Sequence, residues 1–239
     1  MSNNDLKYNH TEVKEIYEKR YSNFTSLPAY YLEERKYKRI FNNIFTNFKV
    51  DIKKFPNYID IGCGLGIKTY ILSEYFEKST GIDFSENAIN IAKLLNAKPN
   101  VEFEVADVKN ISSSENKFDF ITAFGLSVLN VKDVEQIKNE ILNIINLYAK
   151  KESYIVVSSS TDFSGSVPAG WYYHSRKGLK QLVDSINSIE NLTCKIYFNH
   201  CDFKNYFLHG FETFAIELYR LLFSRKRDYY LVVRVKQLS

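Results

Sequence analysis

The chain has 239 residues and a formal net charge of +4, which suits one α/β domain with an appended helical segment. Its mild charge lacks the basic clustering that is typical of nucleic-acid-binding proteins. Three scattered cysteines, and the lack of an 18-residue apolar run or a signal-peptide core, favour a cytoplasmic protein without disulfides, nucleic-acid partners or membrane partners.

Two helices are predicted at the start of the chain, over residues 11–23 and 29–48. Pro28 lies between them and suits the start of the second helix, because its fixed φ is already helical. We expect residues 1–50 to form an N-terminal helical cap and residues 51–239 to form the main domain.

A short apolar strand runs directly into a glycine-spaced turn over residues 59–66, and a helix is predicted from Ile67 to Phe76. Gly62 and Gly64 allow backbone conformations that other residues avoid, and they let a ligand approach the main chain. The pattern therefore predicts a cofactor-binding loop. A dinucleotide fingerprint would need a small residue at position 67, so Ile67 argues against NAD or FAD.

Two further strands are predicted, over residues 79–85 and 101–108, and each carries an acid near its end. These acids are Asp83 and Asp107. Ser85 is a predicted N-cap of the helix that follows the first of these strands.

A fourth strand is predicted over residues 118–124 and leads into Gly125-Leu126-Ser127. Apolar residues recur at helical spacing from 131 to 149 and predict an amphipathic helix that covers the sheet. A fifth strand over 154–158 precedes a loop containing Gly, Ser and Pro, which runs to about His174.

The end of the chain continues the alternation of helices and strands. A helix is predicted from about Ser175, a strand over 192–199, a helix over 211–223 and a closing strand over 229–236. Strands that alternate with helices favour a parallel sheet with right-handed crossovers.

The motifs of the first four strands, taken in order, resemble those of the class I S-adenosylmethionine (SAM) dependent methyltransferases. The first is Gly62-x-Gly64-x-Gly66 preceded by Asp60, and the last is Gly125-Leu126-Ser127. The resemblance covers residues 55–160 in detail. It implies an α/β, Rossmann-like fold: a seven-stranded, mostly parallel sheet with helices on both faces and an antiparallel last strand over 230–235.

The resemblance also implies that SAM is the cofactor and that it binds at the carboxyl ends of the strands. Asp83 would accept hydrogen bonds from the ribose, Asp107 would accept from the adenine amino group, and the first helix would cap the site. The residues that the resemblance assigns to the cofactor are Asp60, Gly62, Cys63, Gly64, Gly66, Asp83, Phe84, Asp107, Val108, Phe124, Tyr17 and Tyr21. For Tyr17 and Tyr21, which share one helix face, core packing is the alternative.

The loops after strands four and five share the carboxyl edge of the sheet and should face the methyl acceptor. An alcohol acceptor benefits from a base that removes its proton, and His174 is our candidate for this catalytic role. The alternative is an exposed loop histidine beside Trp171, Tyr172 and Tyr173.

No metal site is expected. The group Cys194, His200, Cys201 and His209 has no standard zinc-ligand spacing.

The absence of two motifs narrows the range of possible methyl acceptors. Amino methylation of nucleic-acid bases is associated in this family with Asn/Asp-Pro-Pro-aromatic after strand four, and cytosine C5 methylation needs a Pro-Cys pair. Neither is present. We therefore expect a small-molecule acceptor and a monomer or homodimer.

Our first hypothesis is O-methylation of a sugar or nucleotide-activated sugar in bacterial surface-glycan synthesis. The alternatives are N-methylation of a small amine, methylation of a phosphorylated metabolite, or a non-catalytic partner subunit of another methyltransferase.

Overall fold

The structure is a computed structural model that describes five stretches of the chain, residues 10–22, 30–108, 117–162, 174–198 and 226–236. The predicted helix over 211–223 lies outside the described residues, as does most of the loop between strand five and His174.

Six α-helices occur in the described stretches. They are α1 His10–Ser22, α2 Tyr30–Phe48, α3 Ile67–Leu72, α4 Glu86–Leu95, α5 Val134–Tyr148 and α6 Arg176–Asn187. Short 3-10 turns lie at Ile52–Lys54, Ser73–Tyr75 and Ser127–Leu129.

Seven strands occur in the same stretches and form one sheet. They are β1 Asn57–Ile61, β2 Lys78–Asp83, β3 Val101–Val105, β4 Phe118–Phe124, β5 Ala149–Asp162, β6 Leu192–Phe198 and β7 Lys226–Val235.

The strand order is β3-β2-β1-β4-β5-β7-β6, and neighbouring strands from β3 to β5 pair in parallel. Strand β7 pairs antiparallel with both β5 and β6, so the predicted mostly parallel sheet with an antiparallel last strand is confirmed. The chain winds outward from β1 through β2 and β3, and then returns to place β4 on the other side of β1. The order reverses between β1 and β4, which is where open α/β sheets bind ligands.

Both faces of the sheet are covered by apolar side chains. One core cluster joins the sheet to α5, whose Ile137, Ile141, Ile144 and Tyr148 are buried, as the helical spacing predicted. The helix begins at Val134, three residues later than predicted, because the side chain of Asp133 caps it by accepting from the Glu135 N–H.

The opposite face is covered by α2. Its Ile40, Phe41 and Ile44 are fully buried against strand residues that include Phe120 and Val156. Helix α2 thus packs on the sheet, and the division of the chain into a cap over residues 1–50 and a main domain stays a prediction.

Strand β5 is much longer than predicted. It extends from Ala149 to Asp162 because it pairs with β4 on one side and with β7 on the other, and the β7 ladder continues to its last residue. Strand β3 is shorter than predicted and ends at Val105, so Asp107 lies beyond the strand.

A third, small cluster packs α4 and the glycine loop against β3. The Phe103 ring lies directly over two glycines: a Cβ on Gly66 would come within 2.5 Å of that ring, and a Cβ on Gly81 within 2.7 Å. A Cβ on Gly66 would also lie 3.0 Å from Ala92. Gly66 therefore lets the start of α3 pack closely on the sheet.

We predict that Gly66→Ala destabilises the fold more than Gly125→Ala does. Both glycines have positive φ, +74° and +61°, so both substitutions carry a left-handed strain of about 1–2 kcal/mol. Only Gly66→Ala adds overpacking, which costs about 1–3 kcal/mol more, because nothing lies within 4 Å of a Cβ at Gly125. Urea unfolding of the two variants measures the difference. Equal losses would mean that backbone strain alone requires Gly66.

Candidate active site

The glycine loop between β1 and α3 is held against the neighbouring strand by its own main chain. The N–H groups of Gly62 and Cys63 both donate to the Ile82 carbonyl, at 2.8 and 3.0 Å. Gly62, Gly64 and Gly66 all have positive φ, between +54° and +74°. Since these N–H groups face the protein, the loop offers a ligand chiefly a surface free of side chains.

The loop is flanked on two sides. A Cβ on Gly62 would overlap the side chain of Leu126, and a Cβ on Gly64 would lie 2.8 Å from the Tyr21 hydroxyl. The predicted cap residue Tyr21 therefore lies at the glycine loop. The side chain of Tyr17 is outside what the structure describes. Cys63 faces inward with Ile89 and Phe103, and burial raises the pKa of its thiol well above the usual range.

Asp83 ends β2 and fastens the loop to the sheet. One carboxylate oxygen accepts from the Gly64 N–H at 2.9 Å, and the other accepts from the Ser85 N–H at 2.9 Å. The residue is 8% exposed. Desolvation by this burial raises the pKa of Asp83, and the two hydrogen bonds oppose the rise. Each oxygen retains further acceptor capacity, so the carboxylate fits the predicted ribose-binding role.

Asp60 lies behind the loop and is fully buried. Its carboxylate accepts from the Thr69 and Thr122 hydroxyls, both at 2.8 Å, and pairs with the Lys68 ammonium at 2.7 Å. These contacts tie β1, α3 and β4 together. They make Asp60 a positioning residue in this structure, and its predicted contact with the cofactor stays a prediction.

Lys68 was not singled out by the sequence analysis. It is 6% exposed, and its ammonium lies 3.9 Å from the centre of the Phe124 ring. The sequence did contain a signal for it, because Lys68 lies among the apolar residues Ile67, Ile71 and Leu72. A lysine in such a helix is buried only if its ammonium has a charged partner.

Phe124 ends β4 within an aromatic cluster at the carboxyl edge. Its ring stacks on Phe41 at 5.8 Å and lies 5.4 Å from Tyr230 and 6.4 Å from Tyr37. Register explains part of this arrangement: Phe124 pairs with Ser158 of β5, and Ser158 pairs with Tyr230 of β7. Directly paired residues share a face of the sheet, so these side chains form a row.

Helix α1 is attached beside Asp83 through Glu18. The Glu18 carboxylate accepts from the Ser85 hydroxyl at 3.0 Å, the Glu86 N–H at 2.9 Å and the Asn87 side-chain amide at 2.8 Å. Ser85 also caps α4, as predicted, by accepting from the Ala88 N–H. The sequence carried no signal for Glu18, which is 67 residues from Ser85.

The predicted adenine-side residues Asp107 and Val108 follow β3 and are partly exposed. Asp107 is close enough to α5 for its charge to contribute, after burial, to raising the pKa of Tyr148 to about 12. Phe84, next to Asp83, is also partly exposed. The structure thus gathers Asp83, Phe84 and the glycine loop, while the adenine contacts stay predictions.

His174 is 3% exposed, which contradicts the alternative of an exposed loop histidine. It precedes α6, and its hydrogen bond with the Val131 backbone joins it to the segment after β4. Burial lowers its pKa to about 4, although that hydrogen bond opposes the shift. A buried imidazole with a lowered pKa is a weaker proton acceptor near neutrality than an exposed one, and the role of His174 as general base stays a prediction.

Within the described stretches, no three His, Cys, Asp or Glu side chains are grouped so that they could hold a metal ion. His200, Cys201 and His209 lie outside those stretches. None of the helices that the structure describes combines the length and apolar character needed to cross a membrane.

A family model described as "Methyltransferase domain" matches residues 52–205 of this chain. The match begins before β1 and extends past β6, so it includes the glycine loop, Asp83, Phe124 and His174.

Three similar proteins illustrate the range of relatives. The chain is 33% identical over 88 residues to phosphoethanolamine N-methyltransferase 1 of Triticum aestivum, a match that covers 36% of this chain and 18% of that protein. It is 27% identical over 136 residues to a demethylmenaquinone methyltransferase of Staphylococcus aureus, covering 54% of each. The structure superposes on the plantazolicin methyltransferase BpumL, solved with a desmethyl-plantazolicin analogue and SAH, with a TM-score of 0.56. That superposition has 21% identity and covers 95% of this chain and 91% of BpumL.

We predict that His174 makes the stability of the fold depend on pH. Its folded pKa of about 4 is below its ordinary value of 6.5, so between these values the unfolded chain binds a proton that the folded chain does not. The free energy of unfolding is therefore highest above about pH 6.5 and decreases as the pH falls towards 4. Between pH 7 and 4.5 the decrease due to His174 is about 2–3 kcal/mol.

Urea unfolding of wild type and His174→Gln over this pH range tests the effect. The variant lacks the titrating imidazole, so its free energy of unfolding should fall less. Parallel curves for the two proteins would show that His174 is not buried in solution.

Proposed function

Since this chain belongs to the class I SAM-dependent methyltransferase family, we propose that it transfers a methyl group from SAM to a small molecule. The observation that carries the proposal is the hydrogen bond from the Gly64 N–H to Asp83. It places a surface free of side chains and a carboxylate next to each other, at the point where the strand order reverses.

The residues present fit this cofactor. Asp83 retains acceptor capacity for ribose hydroxyls, and the space at Gly64 is bounded by the Tyr21 hydroxyl. SAM supplies an electrophilic methyl group on a sulfonium. The protein must hold the two reactants in line and exclude water from them. We assign these tasks to α1 and to the aromatic cluster around Phe124.

For the acceptor, we favour an amine over a hydroxyl, because His174 is buried. A sugar hydroxyl, our first hypothesis from the sequence, needs a base, and the pKa of about 4 makes His174 a weak one. An amine needs only to arrive neutral. The identity to phosphoethanolamine N-methyltransferase 1 of wheat supports the same class. Methylation of a sugar remains the second candidate, because Phe124 and Tyr37 are partly exposed neighbouring rings at this edge of the sheet, on which a sugar could stack.

We predict that Asp83→Ala weakens SAM binding by about 1.5–3 kcal/mol, the range for hydrogen bonds to a charged group. The control is Glu86→Ala, which removes a nearby exposed carboxylate. Isothermal titration calorimetry of both variants gives the affinities. An Asp83→Ala variant with wild-type affinity would remove Asp83 from the cofactor site.

The assignment of Asp83 to the cofactor site also predicts that SAM binding depends on pH. Because burial raises its pKa, Asp83 takes up a proton at a higher pH than an ordinary aspartate does. Its acceptor capacity, and with it SAM affinity, should decrease as the pH falls through that raised value. The decrease should be smaller in Asp83→Ala than in wild type.

We predict that a panel of small amines, including phosphoethanolamine, yields products one methyl heavier when incubated with SAM and enzyme. Nucleotide-activated sugars form the comparison panel. Mass spectrometry identifies the products, and Asp83→Ala serves as the control for a SAM-dependent reaction. Methylation confined to the sugars would reverse our order of the two acceptor classes.

A further inference from the structure

One carboxylate makes several hydrogen bonds between α1 and the start of α4. Glu18 accepts from the Ser85 hydroxyl and from the main chain and side chain of Asn87 through one oxygen, and from the Glu86 N–H through the other. The two N–H groups belong to the first turn of α4, where they have no partner within the helix. An acid also interacts favourably with the N-terminal end of the helix dipole.

Tyr21 extends the same face of α1 to the glycine loop. It lies three residues after Glu18, so both side chains point to one side of the helix. Its hydroxyl meets the loop at Gly64. Asp83 connects the glycine loop to the start of α4, because one of its carboxylate oxygens accepts from the Gly64 N–H and the other accepts from the Ser85 N–H. Glu18, Tyr21 and Asp83 thus connect α1, the loop and α4 around the proposed ribose acceptor.

The described side chains of α1 are those of a surface helix. Of the side chains described on this helix, none is buried, and Ile16 is 64% exposed. Polar contacts at a surface open at a smaller cost in free energy than packing in a core does.

We propose that Glu18 is a positioning residue that sets the rate at which SAM binds and S-adenosylhomocysteine (SAH) leaves, by holding α1 over the ribose acceptor. The inference rests on the cofactor site proposed above. Glu18 bonds to the start of α4, so its loss loosens α1 and leaves in place the two hydrogen bonds that Asp83 accepts. Both rate constants should therefore rise, and the equilibrium affinity should change less than either rate.

Surface plasmon resonance with SAH over the immobilised full-length protein tests this proposal. Glu18→Gln removes the charge while keeping the shape of the side chain, and Glu15→Gln is the matched control, an exposed acid on the same helix. Relative to the control, we expect Glu18→Gln to raise both the association and the dissociation rate constants, by roughly tenfold, the scale of a charge-assisted hydrogen bond.

Asn87→Ala removes one donor to Glu18 from an exposed position and should shift both rate constants in the same direction by a smaller factor. It also provides the test if Glu18→Gln does not fold. A purely structural role would raise dissociation and leave association unchanged or slower, and that result overturns the proposal. So do rate constants within twofold of the control.

Asp83→Ala in the same assay separates this inference from the proposed function. If Asp83→Ala binds SAH as wild type does, the cofactor site itself is wrong. If Asp83→Ala is weakened while Glu18→Gln keeps the rates of the control, only the role of Glu18 is wrong.

Discussion

Two hydrogen bonds accepted by Asp83 organise the carboxyl edge of this sheet. The bond from Gly64 fixes the glycine loop, and the bond from Ser85 fixes the start of α4. Because Glu18 binds that same turn of α4, the position of α1 also depends on where the Asp83 carboxylate lies. One acid at the end of β2 therefore aligns three elements that are far apart in the sequence.

Asp60 and Asp83 are both buried, but their surroundings give them different tasks. Asp60 is enclosed by an ammonium and two hydroxyls, which offset the cost of burying its charge. Within the part of the chain that the structure describes, Asp83 has no ion pair and retains capacity to accept further hydrogen bonds, while the nearby charge of Asp60 contributes to raising its pKa. The Asp60 carboxylate holds β1, α3 and β4 together, and the Asp83 carboxylate is available to a ligand.

The sequence predicted those features that depend on neighbours along the chain. Strand alternation, glycine spacing and the capping residue Ser85 are local signals, and the structure contains the corresponding strands, loop and cap. The contacts of Glu18 and the stacking of Phe124 on Phe41 join residues from distant segments, so no local pattern encodes them.

The unexpected length of β5 and the burial of His174 have the same origin. The length of β5 is set by its pairing with β7, some 70 residues later, and a strand signal read from β5 alone ends too early. His174 follows a segment with the composition of an exposed loop, but packing beside α6 and the Val131 segment buries it. In both cases tertiary structure overrides a local propensity.

The packing of Phe103 over Gly66 and Gly81 also has an evolutionary consequence. A larger residue at either glycine is compatible with this backbone only if position 103 becomes smaller, and a smaller residue at 103 leaves a cavity unless a glycine is replaced. Mutations at the three positions are therefore epistatic. A substitution at one of the three positions is tolerated better when a second substitution compensates for its change in volume.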